Sequence, residues 1–584
     1  MNMKQLNLFT LIISAFCIVF ILGCGEDFLN EEPYGSINEI TLQQESGVDA
    51  LIIAAYSLLD GYAAGENPDG QQGEASGTNW VYGDVPSDDM YRGDQTGGWA
   101  SVNDIERYEV RPDNAWLNGA WKIHFDGVAR ANDALRVLYI AGDKIPSDMA
   151  TQFEAEARFL RAWYHFQLRI KFELVPYIRQ DDDPITVSND REIWDDIEED
   201  IRWGIDNGMS EQPDDIARAS RWAAKAFLAR VHLFQSEYSE AKVLLDDIIN
   251  NGPFELMDHF YDNHNEEFQN NQEAIFEIQY SVNDGAGVAN SGLDHQTLFS
   301  RAIGFCCDYS APSFDLFNAF KVDENGLPLL ESFQDNLLTE DHNIAFTETF
   351  TPTDQVLDPR VDWTIGRRGI PFLDWGPFTG SNWMIDQQNM GPFLNKKIQF
   401  FKKNEGSIKT QEWWWAGGLN GDNFNLFRLG HILLWRAEVA VEEGDLATAV
   451  ELVNRIRQRA SDDLVMGKIN NTSFETGYDL DIDESQPAAN YNLGLYDSFP
   501  SQDYARDAVR HEMRLEFALE GMRFFDLVRW GVDEEILSQY LQNEEGLRPW
   551  MTGAKYDDGK DDHWPIPQVQ IDLQPGVLIQ DPSH

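Results

Sequence analysis

The chain of 584 residues is strongly acidic, with 44 Lys and Arg against 100 Asp and Glu and a formal net charge of −56 at pH 7. This balance excludes a nucleic-acid binder, because neutralising phosphates requires a basic face. Hydrophobic residues make up 42% and charged residues 25%, which is typical of globular proteins and excludes an acidic disordered chain. Aromatic residues reach 12%, which indicates stacking surfaces in addition to a core.

The amino terminus has the pattern of an export signal. Lys4 supplies a positive charge, and an apolar run at Leu8–Leu22 ends in Gly23 and Cys24. A small residue before a cysteine that closes such a run resembles the box of bacterial lipoproteins. We therefore expect residues 1–23 to be removed and Cys24 to carry the lipid anchor. The alternative is an ordinary signal peptide that is cleaved elsewhere.

Segments with helical periodicity account for most of the predicted structure. The first is amphipathic, at Leu42–Leu59, and residues 61–101 are predicted as a long surface loop because Gly, Asp, Ser and Asn dominate them. Residues 253–425 are mixed, with a strand-like run at Ala274–Tyr280, and residues 549–584 are irregular. The other predicted helical segments are Ala115–Ile140, Asp148–Phe172, Asp190–Gly208, Ser220–Asn251, Phe427–Ala460 and Tyr504–Trp530.

Two helical segments share an internal repeat. Ala229 and Ala241 in the first have the same spacing as Ala437 and Ala449 in the second. Small residues at these points allow two antiparallel helices to approach closely. The pattern is that of tetratricopeptide units, which stack on one another and usually form scaffolds and contact surfaces.

Short motifs follow one another in a fixed order along nearly the whole chain. They are Asp27–Asn30 with Pro33, Gly83–Asp84 with Ser87–Asp89, Trp121 with Arg130–Asn132, Glu156–Ala162, Ala223–Ala226 with Leu228–Arg230, Pro312–Ser313, Asp358–Arg360, Glu512–Trp530, Trp564–Pro567 and Gln580–Pro582. In this order they resemble the SusD/RagB family of outer-membrane glycan-binding lipoproteins of Bacteroidetes. Lys171–Leu174 departs from the family, which often has a Tyr-Gly turn there.

The resemblance implies a mainly α, SusD-like fold, with tetratricopeptide-type helix pairs as scaffold and an irregular, loop-rich region with short strands. It implies a signal peptide at 1–23, an amino-terminal part at 24–260 with helical repeats, and a carboxyl-terminal part at 261–584 with ligand loops and the last repeat. It also implies a protein anchored in the outer membrane and facing the cell exterior. Such a protein captures oligosaccharides and passes them to a SusC-like TonB-dependent transporter.

Two other functions stay open at this stage. One is a SusD-like protein that binds peptide or another nutrient that is not a sugar, and the other is a lipoprotein hydrolase. Glu516 and Glu520 lie four residues apart and could form the acid pair of a glycosidase. We favour an ion-paired structural network, because nearby arginines such as Arg523 would keep both carboxylates ionised. The sequence is therefore interpreted as a binding protein and not as an enzyme.

Candidate ligand residues are aromatic side chains in polar loops, because sugars stack on aromatic rings and offer hydroxyls to polar groups. The resemblance implies that they come from two parts of the chain. Each ring could instead cap the core beneath a loop. The candidates of the first loop are Trp80, Tyr91, Arg92, Asp94 and Trp99, and those of the second irregular region are Tyr309, Trp375, Trp383 and Trp414.

Two further features bear on ligand chemistry. Residues 360–410 contain eight Lys and Arg against four Asp and Glu, which could form a patch for uronate or sulfate groups, although a neutral glycan is favoured. Asp479, Asp481 and Asp483 have the opening spacing of a calcium loop, but Glu484 replaces the turn glycine and Asn490 the usual last ligand. A loop without metal is the favoured interpretation, calcium is the alternative, and no other cofactor is expected.

Overall fold

The structure is a computed structural model that describes residues 42–62, 73–92, 100–286, 290–291, 309–411, 420–469 and 482–584. Its architecture is mainly α with a few short strands, which confirms the predicted fold class. Cys24 and the apolar run before it lie outside the described residues. Within those residues, no helix combines the length and apolarity needed to traverse a bilayer.

The helices of the amino-terminal half are α1 (Glu45–Tyr56), α2 (Trp80–Gly83), α3 (Ala100–Glu106), α4 (Ala115–Ala141), α5 (Ser147–Phe172), α6 (Trp194–Asn207), α7 (Arg221–Phe234) and α8 (Tyr238–Asn251). All but α2 and α3 follow the predicted helical segments closely. The prediction of a surface loop at 61–101 is wrong for residues 73–92, which are mostly buried because apolar side chains such as Trp80 and Val81 pack into the core. The side chains of Asn114 and Ser220 accept hydrogen bonds from backbone N–H groups in the first turns of α4 and α7, respectively, which satisfies donors that a helix start leaves unpaired.

The rest of the chain contains short helices followed by longer ones. They are α9 (Phe314–Ala319), α10 (Val361–Thr364), α11 (Gln387–Met390), α12 (Glu405–Ile408), α13 (Leu429–Glu442), α14 (Leu446–Ser461), α15 (Gln502–Phe517), α16 (Arg523–Trp530), α17 (Asp533–Leu547) and α18 (Gln568–Leu573). The predicted segments miss the short helices α9 to α12 and also α17 and α18, although the buried residues of α17 recur at helical intervals.

The two repeats are present as helix pairs, α7 with α8 and α13 with α14. All four alanines that define the repeat are fully buried, as close helix packing requires. Helix α8 packs against α13, so the second pair stacks on the first. Helices α4 to α8 pack in succession, and the scaffold therefore continues across the irregular middle of the chain.

The strands form four two-stranded antiparallel ribbons. The first ribbon pairs Tyr91 with Ala311, and it thereby joins the two parts of the chain from which ligand residues are predicted. The ribbons are β1 (Met90–Tyr91) with β3 (Ala311–Pro312), β2 (Ala274–Ile278) with β6 (Phe424–Arg428), β4 (Ile365–Gly366) with β5 (Leu394–Asn395), and β7 (Met466–Ile469) with β8 (Ile482–Pro487).

A tight corner between α15 and α16 fixes the late helices onto the early part of the chain. Gly521 has a φ of 76°, and a Cβ there would lie 1.8 Å from the carbonyl oxygen of Thr78. Glycine is therefore required at this position. The Gly521 N–H donates a hydrogen bond of 2.8 Å to the Asp84 carboxylate. This contact places residues 78–89 against the end of α15.

Candidate functional site

Three predicted ligand residues meet beside the β1–β3 ribbon. The rings of Trp80 and Tyr309 stack, with centroids 6.5 Å apart and planes inclined by 26°. The guanidinium carbon of Arg92 lies 5.2 Å from the centroid of the Tyr309 ring. We call these three residues the Trp80–Arg92–Tyr309 cluster. It brings together one residue from the second irregular region and two from the first loop, although they are far apart in the sequence.

Backbone contacts hold Arg92 in place. Its N–H donates to the Glu106 carboxylate on α3 over 3.3 Å, and its carbonyl oxygen accepts a bond of 3.3 Å from the Ser310 N–H. Ser310 directly follows Tyr309 and has a φ of 55°. The β1–β3 pairing and the α3 carboxylate therefore fix where the Arg92 side chain begins.

The Arg92 side chain carries unused hydrogen-bonding capacity. It is fully buried, and none of its three guanidinium nitrogens donates a hydrogen bond to a described residue. The Ser310 hydroxyl and the Asn103 side-chain oxygen, one turn before Glu106 on α3, are also buried without hydrogen-bond partners there. Buried donors without acceptors are costly. A ligand with many oxygens and apolar faces would satisfy both the guanidinium and the adjacent rings.

The cluster is closed in this structure. Trp80 is 5% exposed and Tyr309 is 6% exposed, so their ring faces are not open to a solute. Contact between a sugar and these rings requires the covering residues to move apart. Asp94, Trp99 and Trp414 lie outside the described residues, and their role in ligand binding stays a prediction.

Trp375 differs from the other described candidates because it is half-buried. Its indole N–H donates a 3.0 Å hydrogen bond to the Phe400 carbonyl oxygen, which fixes one edge of the ring. The Lys402 ammonium lies 5.6 Å from the ring centroid. The neighbouring Asp374 carboxylate accepts hydrogen bonds from two backbone N–H groups, those of Lys402 and Lys403. Trp375 is therefore a rigid, partly accessible ring on a surface turn.

The expectation that Trp383 lies open in a loop is wrong. The side chain is 2% exposed and packs against the rings of Phe372 and Phe378, at centroid distances of 5.6 Å and 5.1 Å. The glycines and prolines around it mark turns of a small, well-packed unit. They do not mark exposure, and Trp383 belongs to the core of that unit.

Tyr91 is also a structural residue, contrary to the expectation of an accessible ring. Its side chain is fully buried, and its hydroxyl donates to Glu544 and accepts from the Phe314 N–H, each over 2.8 Å. The Arg548 guanidinium carbon lies 3.7 Å from the ring centroid. Because the strand alternates its side chains, Tyr91 faces α17 while Arg92 faces Tyr309.

The possible basic patch at residues 360–410 does not lie on the surface. Arg360, Arg367, Arg368, Lys396 and Lys397 are all buried. Arg367 forms an ion pair of 2.7 Å with Asp362, and Lys397 forms one of 2.7 Å with Glu520. Five of the eight basic residues thus lie inside the protein, where four pair with carboxylates and Lys396 donates to backbone carbonyls. This removes the argument for an anionic glycan.

Glu516 and Glu520 form the expected ion-paired network. Glu516 lies 2.7 Å from Arg428 and 2.5 Å from Arg459, and Glu520 accepts from Arg428 over 3.1 Å. Burial raises the pKa of Glu516, but three surrounding guanidinium groups outweigh it and hold that pKa well below its ordinary value. A carboxylate held ionised in this way is a poor general acid. The geometry supports a structural role for the pair.

The possible calcium loop is described only in part. Asp479 and Asp481 lie outside the described residues. Asp483 is on β8, and its carboxylate accepts hydrogen bonds from the Ser485 hydroxyl at 2.6 Å and the Gln486 amide at 2.7 Å. Both carboxylate oxygens of Asp483 thus already accept hydrogen bonds, which favours the loop without metal. Calcium binding at this loop stays an untested alternative.

A cleft of about 650 Å³ beside α4 is a surface that the sequence analysis missed. It is lined by Trp121 and Phe125 of α4 and by Pro184 and Ile185 of the following loop. Ile185 is 62% exposed, and an apolar residue after proline in an otherwise polar loop is the signal that could have revealed it.

Comparison with known proteins gives two adjacent matches that together span most of the chain. A sequence model of the SusD family matches residues 272–584. A second one, described as "Starch-binding associating with outer membrane", matches residues 27–233. SusD-like protein P25 of Formosa agariphila is 22% identical over 98% of both chains. A SusD-like protein of Bacteroides ovatus is 26% identical over 46% of this chain and 49% of its own.

Solved structures share the fold. A SusD superfamily protein of Bacteroides vulgatus has a TM-score of 0.68 and 19% identity, with 93% of this chain and 99% of that chain covered. A laminarin-binding SusD-like protein has a TM-score of 0.64 and 20% identity, with 93% of this chain and 100% of that chain covered. Surface glycan-binding protein A of Bacteroides thetaiotaomicron in complex with laminarihexaose has a TM-score of 0.62 and 19% identity, again with 93% of this chain and 100% of that chain covered. Taken with the match over residues 272–584, these findings show that the chain belongs to the SusD family.

Proposed function

We propose that the protein is a lipid-anchored, glycan-binding protein of the outer membrane that captures oligosaccharides at the cell surface. Three findings support this proposal. A matching family description associates such proteins with starch binding and the outer membrane. Two proteins of the same fold are a laminarin-binding protein and a complex with laminarihexaose. The chain's own contribution is a cluster of aromatic rings and a buried arginine whose guanidinium has no acceptor among the described residues.

The observation that carries the proposal is the state of Arg92. A guanidinium offers five N–H donors, and burying it without acceptors is unfavourable. Sugar hydroxyls would supply those acceptors, and the rings of Trp80 and Tyr309 would contact the apolar face of the sugar. Because most of the basic residues of 360–410 are buried, the proposed ligand is a neutral glycan.

Glycan-array screening followed by titration calorimetry tests this function. We expect neutral oligosaccharides to bind, with laminarihexaose as the first probe. Arg92→Met should weaken binding about tenfold to a hundredfold, because hydrogen bonds to a charged group are lost. It should leave the melting temperature unchanged or higher, since an unsatisfied buried charge is replaced by an apolar chain.

The matched control is Arg136→Met on α4, whose side chain is 47% exposed and paired with Asp133. It should change neither glycan affinity nor melting. Equal affinity in Arg92→Met and the unmutated protein would remove Arg92 from the site. If the protein binds immobilised peptides and none of the glycans on the array, the proposed function itself is contradicted.

We further propose that Cys24 carries the lipid anchor and that the protein delivers its ligand to a SusC-like TonB-dependent transporter. The lipoprotein box supports the first part and the family membership supports the second. Cys24→Ala should release the folded protein from the outer-membrane fraction.

Mild detergent extraction of the unmutated protein should recover a large barrel in near-equal amount, since permanent complexes bury about 2,000 Å² or more. Recovery of the protein alone would contradict delivery by direct docking.

A further inference from the structure

A second group of polar side chains shares no residue with the proposed glycan site. Glu173 follows α5, while His563 and Asp581 belong to the carboxyl-terminal segment. The His563 Nε2 atom lies 3.5 Å from Glu173 Oε2 and 3.8 Å from Asp581 Oδ1. One donor atom of each residue lies within 4.8 Å of the other two. A cleft of about 180 Å³ lined in part by Glu173 and His563 gives solutes access to this group.

The orientation of His563 points to a missing partner. Its Nδ1 lies 2.7 Å from an Asp562 carboxylate oxygen, so Nδ1–H donates to Asp562. That bond makes Nε2 the nitrogen that offers a lone pair. His563 is 7% exposed, and Nε2 forms no hydrogen bond with any described residue. Without a metal ion, Nε2 can carry a proton instead, because the carboxylates of Asp562, Glu173 and Asp581 outweigh burial and raise the pKa of His563. A metal ion and that proton would occupy the same position.

Ser583 holds the Asp581 carboxylate in position. Asp581 Oδ1 accepts hydrogen bonds from the Ser583 N–H at 2.8 Å and the Ser583 hydroxyl at 2.5 Å. Glu173 has a φ of 59°, a backbone conformation that favours glycine and that a glutamate adopts only under strain. Its side chain is 39% exposed and lies 3.5 Å from the imidazole, so its carboxylate can adjust to a metal ion.

We propose that Glu173, His563 and Asp581 bind a divalent transition-metal ion, with Zn²⁺ as the best match. One imidazole nitrogen and two carboxylate oxygens are ligands that Zn²⁺ prefers, whereas calcium and magnesium prefer oxygen alone. Tetrahedral ligands at Zn²⁺ bond lengths are separated by about 3.4 Å, close to the distances observed here. Asp562 orients the imidazole, and the cleft supplies water for the fourth position.

A similar group elsewhere in the chain provides a matched control. Glu198, His232 and Glu237 also bring three donor atoms together. There, His232 Nδ1 is hydrogen-bonded to Glu237 at 2.6 Å, and its Nε2 lies 3.4 Å from the Arg202 guanidinium. Both ring nitrogens already have partners, so we expect no metal at this second group.

Equilibrium dialysis against ZnCl₂, with bound zinc measured by mass spectrometry, tests the proposal. The protein is the full chain without a polyhistidine tag, with all four cysteines, Cys17, Cys24, Cys306 and Cys307, replaced by serine to remove thiol ligands. We expect about one zinc ion per chain in this background and in His232→Gln. His563→Gln and Glu173→Gln should each weaken binding by about tenfold or more, and Asp562→Asn by about tenfold to a hundredfold.

Thermal melting provides a second readout for variants that differ in stability. Zinc should raise the melting temperature of the background and of His232→Gln, because a ligand that binds the folded state stabilises it. It should not raise that of His563→Gln or Glu173→Gln. Two results would overturn the proposal. One is equal zinc binding in His563→Gln and the background. The other is no zinc binding in the background, which would leave a protonated His563 ion-paired with its carboxylates.

Discussion

Trp375 and Trp383 belong to the same irregular region, yet their surroundings give them opposite roles. Trp383 fills a space between Phe372 and Phe378, whereas Trp375 is tied down by one edge and remains partly accessible. Trp383→Ala should lower the free energy of unfolding by about 3–5 kcal/mol, because it leaves a cavity in the core. Urea unfolding followed by circular dichroism measures this change.

Trp375→Ala is the matched comparison for that experiment. It should cost clearly less stability, because part of the ring already contacts solvent. If both variants lose the same amount, Trp375 contributes to the core as much as Trp383 does. If Trp383→Ala unfolds at the urea concentration of the unmutated protein, the assignment of Trp383 to the core is wrong.

The sequence predicted part of the candidate site for a definable reason. Trp80 and Tyr309 are predicted because sugars stack on aromatic rings in polar loops, and Arg92 because it is a polar neighbour that can bind hydroxyls. The β1–β3 ribbon brings the three residues together. Trp383 was chosen by the same criterion and lies in the core. Glycine and proline indicate where a chain turns, but tertiary packing decides which side of the turn is covered. That information does not reside in the local sequence.

At the scale of elements, α15 carries carboxylates into a buried set of arginines. Because the pKa of Glu516 is lowered in the folded protein, its pairing stabilises the fold at pH values above the pKa that Glu516 has in the unfolded chain. This contribution is lost as the pH falls below the ordinary value of 4.5 toward the lower folded pKa. Glu516→Gln should therefore cost about 3–5 kcal/mol at pH 7, since it leaves buried guanidinium groups uncompensated.

Unfolding free energies measured from pH 7 down to pH 3 check this prediction. The difference between Glu516→Gln and the unmutated protein should shrink progressively below pH 4.5. Glu451→Gln on α14, an exposed position, should follow the unmutated protein at every pH. A constant difference across the whole range would show that Glu516 acts through packing and not through its charge.

Most helices could be predicted because their signals are local. Periodicity and side-chain caps such as Asn114 lie within a few residues of the elements that they define. Helix α17 was missed because its first turn is Asp533, Glu534 and Glu535, which resembles a solvated loop. Its apolar residues become recognisable as one face only when Leu537 and Tyr540 are seen buried.

At the scale of the whole molecule, ion pairs join the two predicted parts of the chain. Asp88 pairs with Arg523 at 2.8 Å and with Arg514 at 3.1 Å, and Arg514 also binds Asp89 at 2.7 Å. All of these carboxylates are buried. The predicted boundary between 24–260 and 261–584 stays a prediction, but these contacts argue against two parts that fold independently.

A fragment of residues 24–260 tests that conclusion. Expressed alone, it should lack a cooperative thermal transition and be digested rapidly by trypsin, because Asp88 and Asp89 would have no arginine partners. The full chain provides the control. Mixing the fragment with a fragment of residues 261–584 should restore protease resistance if the ion pairs drive their association. A fragment that melts cooperatively by itself would show that the amino-terminal part folds independently.

The distance along the chain between these partners has a consequence for biogenesis. Arg514 follows Asp88 by 426 residues, and an exported polypeptide leaves the translocation channel amino terminus first. Asp88 cannot be withdrawn from water until the segment with Arg514 and Arg523 has also emerged. The amino-terminal residues can therefore complete these buried contacts only after nearly all of the chain has emerged from the channel. On the proposed route to the outer membrane, a chaperone that binds unfolded chains would therefore have that whole interval in which to act.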